Sequence, residues 1–223
     1  MNFQEWNPIY RRILEDFGFD ADQDKKSAKL LAQLLKGKPP ITGSAFFGTS
    51  ALIIGPAITK ENLPPLSEYD VVAVADSALE PYQKLAGTPG LIFSDLDGNP
   101  DLIVKMSTQG STPVVHAHGD NQALIRKYVP RIKGSIIGTC QCLPVGTLLN
   151  FGGFTDGDRA AFFFDALRYG IIDLAGFDFE NPVLKENSDS GIKRKKLRWA
   201  RNLLQYLSEK RGVDFREGPI IRI

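Results

Sequence analysis

Hydrophobic residues in the first 37 positions recur at helical spacing. Phe3, Trp6, Ile9, Tyr10, Ile13 and Leu14 form one set, and Leu30, Leu31, Leu34 and Leu35 form another. This predicts two helices separated at Gly18. After Gly37, the stretch Lys38-Pro39-Pro40 should stop the second one, because proline lacks a backbone donor and disfavours helical geometry in the residue before it. From about residue 46 the pattern changes to short apolar runs alternating with amphipathic stretches. The runs are Ala51–Ile54, Val71–Ala75, Gly90–Phe93, Thr112–Val115, Gly134–Gly138 and Ile171–Leu174. They are too uniformly apolar for one face to meet water. The expected fold is therefore α/β: a mostly parallel open sheet with helices on both faces, Rossmann-like in layout. Intervening helices should start near Ser77, Pro100, Asn121 and Asp156.

Residues 189 to 210 read as a long basic helix. Leu197, Ala200, Leu203, Leu204 and Leu207 make its apolar stripe, and Lys193, Arg194, Lys195, Lys196, Arg198 and Arg201 crowd its polar side. That polar side is expected to be solvated, with phosphate binding or a partner surface as the other readings. Gly218 to Ile223 would add an edge strand. The expected organisation is an N-terminal helical segment over 1–42 followed by one α/β domain over 43–223 with the long C-terminal helix.

Composition changes this picture little. Apolar residues make up 43% and charged residues 24% of the chain, which suits a water-soluble globular protein. The formal net charge of +1 is far from the excess of a general nucleic-acid binder, so no nucleic acid is expected as a partner. No apolar run reaches the roughly 18 to 20 residues of a membrane span, and the first residues lack a signal-peptide layout, so a cytoplasmic location is expected. Cys140 and Cys142 are the only cysteines, one residue apart on an expected strand. They suit buried or pocket-lining thiols; a tetrahedral zinc site would need His116 and His118 as further ligands. The N-terminal helices and the aromatic run Phe162-Phe163-Phe164 exceed what one helix face normally buries and leave room for a homodimer.

In an open parallel sheet, ligands collect outside the C-terminal ends of the strands. The residues that follow these runs are unusual. Asp76-Ser77 follows Val71–Ala75, Ser94-Asp95-Leu96-Asp97-Gly98 follows Gly90–Phe93, and His116-Ala117-His118-Gly119-Asp120-Asn121 follows Val114-Val115. Three successive strands thus end in carboxylates, and acids gathered without compensating charge call for a cation such as magnesium. Asp95 and Asp97, two residues apart at a strand end, can both reach a hard cation, with Gly98 expected to permit the tight turn; an ordinary turn or helix cap is the plainer reading. His116 and His118 are the only histidines, so any acid-base imidazole is one of them.

Two glycine-bearing segments remain. Gly55-Pro56-Ala57 follows the first strand and lets backbone approach a ligand, but it matches neither common nucleotide-loop pattern. The segment Asn150-Phe151-Gly152-Gly153-Phe154-Thr155-Asp156-Gly157-Asp158-Arg159-Ala160 combines flexible backbone with two aromatics able to stack on a flat ring. Its Thr155 is placed to cap a helix whose first turn carries acids.

In order and type these motifs resemble those of the archaeal 6-hydroxymethyl-7,8-dihydropterin pyrophosphokinases, the MptE-like proteins, which are distantly similar to thiamin pyrophosphokinases. Ala75-Asp76-Ser77-Ala78 is similar to the family's alanine-aspartate strand end and Asp95-Leu96-Asp97 to its Asp-x-Asp metal motif. His116 to Asn121 is similar to its His-x-His-Gly-Asp-Asn loop, and Asn150 to Ala160 to the segment that opens its following helix. The resemblance spans roughly residues 45 to 205. Gly55-Pro56-Ala57 departs from it, since the family more often carries Gly-Pro-Ser-Leu there.

The resemblance implies ATP and a reduced pterin as substrates, Mg2+ as cofactor, and transfer of diphosphate to the pterin hydroxymethyl oxygen with release of AMP. It implies Asp95 and Asp97 on magnesium, with Asp76 and Asp120 as further ligands or water-mediated supports. Asp95, Asp97, His116, His118 and Asp120 would form the catalytic set. Gly55, Asp76, Ser77, Asn121, Phe151, Gly152, Gly153, Phe154 and Thr155 would line the nucleotide and pterin. The alternatives are the same chemistry on another alcohol, such as thiamin, and a nucleotide-binding protein without catalysis.

Overall fold

The computed structural model describes residues 1–38, 48–183 and 189–223. Its chain falls into two compact units, one made of residues 1–47 and 90–152 and the other of 48–89 and 153–223. The expected boundary at 42/43 and the proline stop at Pro39-Pro40 lie outside the described residues.

In the first unit the chain opens with helices α1 (Phe3–Phe17) and α2 (Ala21–Leu34). Asn2 caps α1 by accepting from Glu5 N, while Glu5 reaches back to Asn2 N. Gly18, in the left-handed region at φ 67°, ends α1. Three parallel strands follow: β3 (Leu91–Ser94), β4 (Thr112–Ala117) and β5 (Ile137–Cys140), with β4 between the other two. Helix α4 (Pro100–Thr108) connects β3 to β4, and α5 (Gln122–Tyr128) follows β4. Helix α2 packs on β4, β5 and α5.

Two strands of this unit differ from the expectation by more than one residue. The run at 134–138 gives a strand only from Ile137, because Gly134 turns the chain at φ 68°; the strand then continues through Gly138 to Cys140. Gly138 belongs inside it because Leu148, Leu35 and Leu31 fill the space where a side chain would stand. Strand β4 runs two residues past Val115, pairing His116 with Thr139 and Ala117 with Cys140. His116 is therefore part of the strand and not of the loop after it.

The second unit holds β1 (Ser50–Ile54), β2 (Val71–Ala75), β6 (Ile171–Ala175) and β7 (Ile220–Arg222), in the order β2-β1-β6-β7. All pairs are parallel except β6 with β7. All five residues of β1 are buried, so both of its faces are covered, as its unbroken apolar run requires. Its helices are α3 (Leu79–Ala86), α6 (Asp156–Ala166) and α7 (Ser190–Arg211). A 3-10 turn over Asp76–Ala78 precedes α3, which therefore begins at Leu79 and not at Ser77.

Helix α6 packs on β1, β2, β6 and α7. Phe162, Phe163 and Phe164 are all buried, so the run offers no surface to a second copy of the chain. Helix α7 buries Ala200, Leu203, Leu204 and Leu207 and is capped by Asp189, whose carboxylate accepts from Gly191 N and Ile192 N. Among the described residues no helix is long and apolar enough to cross a membrane.

Candidate active site

In the first unit the ends of β3 and β4 converge on one imidazole. His118 Nε2 lies 3.0 Å from Asp95 Oδ2 and His118 Nδ1 lies 2.7 Å from Asp120 Oδ1. Both ring nitrogens can donate only in the imidazolium form. Burial opposes that charge, but the hydrogen bonds to Asp120 and Asp95 and the charges behind them outweigh it, and the His118 pKa is raised to about 9. The same His118 bond holds the Asp120 carboxyl below its usual range.

Asn121 braces this arrangement. Its Nδ2 donates to the carbonyls of Asp95, at 2.9 Å, and His116, at 2.7 Å, and its Oδ1 accepts from His118 N at 3.1 Å. Buried, Asn121 spends its carboxamide on the loop and holds its shape. His116 sits on β4 at 2% exposure, with Nδ1 3.0 Å from Thr139 Oγ1. The two imidazoles stack 6.1 Å apart, the i, i+2 relationship of an extended chain.

The Asp95-Leu96-Asp97 turn is held from below. Ser94 Oγ accepts from Leu96 N at 2.7 Å, and Asp95 Oδ1 accepts from Asp97 N at 3.2 Å. Leu96, buried, takes the left-handed conformation at φ 71°. The turn thus depends on Leu96, whose apolar side chain is pulled inward, and not on Gly98; this places Asp95 and the exposed Asp97 on either side of it. Phe151 is half-buried, and Gly152, at φ 88°, takes a bond from its N–H to Asn150 Oδ1.

In the second unit Asp76 follows β2 and is buried, while Ser77 is exposed. Asp156, in the first turn of α6, offers a carboxylate oxygen within 4.8 Å of one from Asp76. Oxygen donors of this kind at this spacing fit a hard divalent cation. Gly55 has no room for a side chain, because a Cβ there would lie 2.5 Å from Gly176 O and against the Phe177 ring. Its close approach is to its own unit, which explains the glycine without a ligand.

Thr155 caps α6 as expected, and the acids of its first turn divide their work. Asp158, fully enclosed, accepts from Phe154 N, Thr155 N, Thr155 Oγ1 and Arg159 N; burial pushes its pKa up against the pull of those donors. Arg159 donates from Nη1 to Asp156 Oδ1 at 3.2 Å and from Nη2 to Phe154 O at 2.9 Å. Gly153, at φ 89°, lets the loop lie against Arg159, where a Cβ would come within 2.5 Å of the Arg159 Cα. Asp156 and Arg159 were not among the site residues expected from the sequence. Acids and a base just after a capping threonine are accounted for by helix capping, which hides any further role.

Cys140 and Cys142 are both buried and free. Cys140 Sγ contacts Cys142 O at 3.6 Å, and Cys142 Sγ contacts Leu143 O at 3.5 Å. Nearby, the buried Asp24 accepts from Tyr10 Oη at 2.5 Å and Gln141 Nε2 at 2.9 Å, tying both N-terminal helices to the end of β5.

Comparison with known proteins agrees with the motif order. Residues 25–183 match a family described as 6-hydroxymethylpterin diphosphokinase MptE-like. A protein of Methanothermobacter thermautotrophicus is 38% identical over 96% of this chain and 98% of its own length. One from Methanocaldococcus jannaschii is 36% identical over 96% and 99%. One from Pyrococcus furiosus is 32% identical over 93% and 94%. Each of the three carries the name 6-hydroxymethyl-7,8-dihydropterin pyrophosphokinase. Matched by the family over most of its length and by these relatives over nearly all of it, the chain belongs to the MptE-like 6-hydroxymethylpterin diphosphokinase family.

Proposed function

We propose that this protein transfers the terminal diphosphate of ATP to the hydroxymethyl oxygen of 6-hydroxymethyl-7,8-dihydropterin. The observation that carries the reading is near-full-length similarity to relatives named for this reaction, in a chain whose strand ends present acids and an imidazolium. The hydroxyl oxygen attacks the β-phosphorus, and the bond from that phosphorus to the oxygen bridging the α-phosphorus breaks. AMP leaves with that oxygen, and one proton is released. Such a displacement asks the protein chiefly to align two substrates and neutralise charge.

The carboxylates proposed to take magnesium are, in the first unit, Asp95, Asp97 and Asp120 and, in the second, Asp76 with Asp156 beside it. Bound there, the ion would supply charge neutralisation on the phosphate oxygens. His118, held as an imidazolium by Asp95 and Asp120, adds a positive charge facing anionic substrate; in that state it is no general base. Asn121 and Leu96 set the loop geometry that brings Asp95 to His118. Phe151 or Phe154, each half-buried, is proposed to lie against the flat pterin. The reading includes a cytoplasmic setting, where ATP is available.

The acceptor is tested by offering thiamin and 6-hydroxymethyl-7,8-dihydropterin in competition with limiting MgATP. The diphosphate should appear on the pterin. Its appearance on thiamin instead would replace the proposed substrate while keeping the chemistry.

A further inference from the structure

The first turn of α6 buries a guanidinium. Arg159 is 6% exposed. One of its donors goes to Asp156 Oδ1 in the same helical turn and another to Phe154 O in the loop ahead of the helix, and among the described residues its Nε has no partner. Taking a guanidinium out of water is costly, and one ion pair with one carbonyl repays it incompletely. If this position served only to fill space, an apolar side chain would serve better.

Asp156 lies with an oxygen within 4.8 Å of an Asp76 oxygen. Two carboxylates at that spacing repel, so each tends to swing away or take up a proton. Arg159 counters both tendencies by pairing with Asp156. Because its second nitrogen is fixed to the Phe154 carbonyl, the planar fork ties the carboxylate's direction to the backbone. Gly153 and Asp158 lock that backbone in turn: Asp158 takes the N–H groups of Phe154 and Thr155, and Gly153 clears the space for Arg159.

We infer that Arg159 is a positioning residue for divalent-cation binding, acting through the Asp156 carboxylate. The inference rests on the diphosphate-transfer reading only for its effect on turnover. The test is Mn2+ binding followed by the electron spin resonance of the free ion, in the wild type, Arg159→Lys, Asp156→Asn and the double variant, each checked for its fold by circular dichroism. Lysine keeps the charge and loses the fork, so a change in affinity reports position and not net charge. Loss of an outer partner of a metal ligand costs about 10- to 100-fold in affinity. Arg159→Lys should weaken Mn2+ binding by roughly tenfold or more on that basis, and should add nothing in the Asp156→Asn background. In turnover the KM for Mg2+ should rise more than kcat falls.

A folded Arg159→Lys that binds Mn2+ like the wild type overturns the inference. So does a weakening that persists unchanged in the Asp156→Asn background. If Arg159→Lys does not fold, Asp156→Asn decides: unchanged Mn2+ affinity leaves Arg159 nothing to position and overturns the inference, whereas a tenfold loss sustains it. A wild type that binds Mn2+ through Asp156 but does not turn over ATP with the pterin would sink the proposed reaction and leave this inference standing.

Discussion

His118 lies between Asp95 and Asp120, at 3.0 Å from one carboxylate and 2.7 Å from the other. Both ring nitrogens are engaged by acceptors, which makes the charged form of this histidine part of the resting site.

Proton NMR of the metal-free protein should therefore show one of the two histidines titrating at about pH 9, well above the ordinary imidazole value, and Asp120→Asn should lower that midpoint. The folded pKa exceeds the unfolded one, so the stabilisation is fully present below the unfolded value of about 6.5 and is lost as pH rises through about 9. Mg2+ competing for Asp95 should also lower the midpoint. A His118 that titrates near 6.5 in the metal-free protein would remove the imidazolium from the account.

Leu96 carries two opposing terms. Its left-handed backbone costs about 1–2 kcal/mol for a residue with a Cβ, whereas burying its side chain contributes more. Leu96→Ala keeps the first and loses most of the second, so urea unfolding should show a destabilisation of about 2–4 kcal/mol. Asp95 and Asp97 should lose their fixed turn, with activity falling further than stability alone explains. A variant as stable and active as the wild type would mean that Leu96 does not hold the turn.

Asp173, buried on β6, meets Arg222 of β7 through two 2.8 Å bonds and Tyr69 Oη at 2.9 Å. Burial, and after it the hydrogen bond to Asp173, raises the Tyr69 pKa to about 12. Arg222→Met leaves the carboxylate without its cation. Because that arginine is itself more than half exposed, the cost should fall at about 3 kcal/mol, the lower end for a broken buried pair. Hydrogen exchange should then show β7 opening ahead of β1 and β6. Equal protection of β7 in the variant and the wild type would contradict the role of this pair.

Much of this was legible from the chain because parallel strands covered on both faces must be apolar throughout. Val71–Ala75 matches its strand to the residue, and α4 and α6 begin at Pro100 and Asp156 as their capping residues require. The misread strand at Gly134–Gly138 shows the limit. A glycine inside a strand and a glycine in a turn look alike until Leu148, Leu35 and Leu31 are seen filling the space over Gly138.

The acids after β2 and β3 were legible for a similar reason, since strand ends are where polar residues have to be explained. What the sequence concealed was the division of labour. His116 and His118 are two residues apart, yet one lies inside β4 and the other bridges two carboxylates, because strand pairing continues to Ala117. Arg159 and Asp156 stayed hidden because a charged first helical turn already has a sufficient explanation in capping.

Diphosphate transfer in one step to the pterin hydroxyl leaves AMP, so the nucleotide product distinguishes it from other phosphoryl transfers. With Mg2+, ATP and 6-hydroxymethyl-7,8-dihydropterin, chromatography should find AMP and pterin diphosphate formed one for one, with no ADP, and both lost in Asp95→Asn. ADP in place of AMP, or AMP formed at the same rate without the pterin, would contradict it.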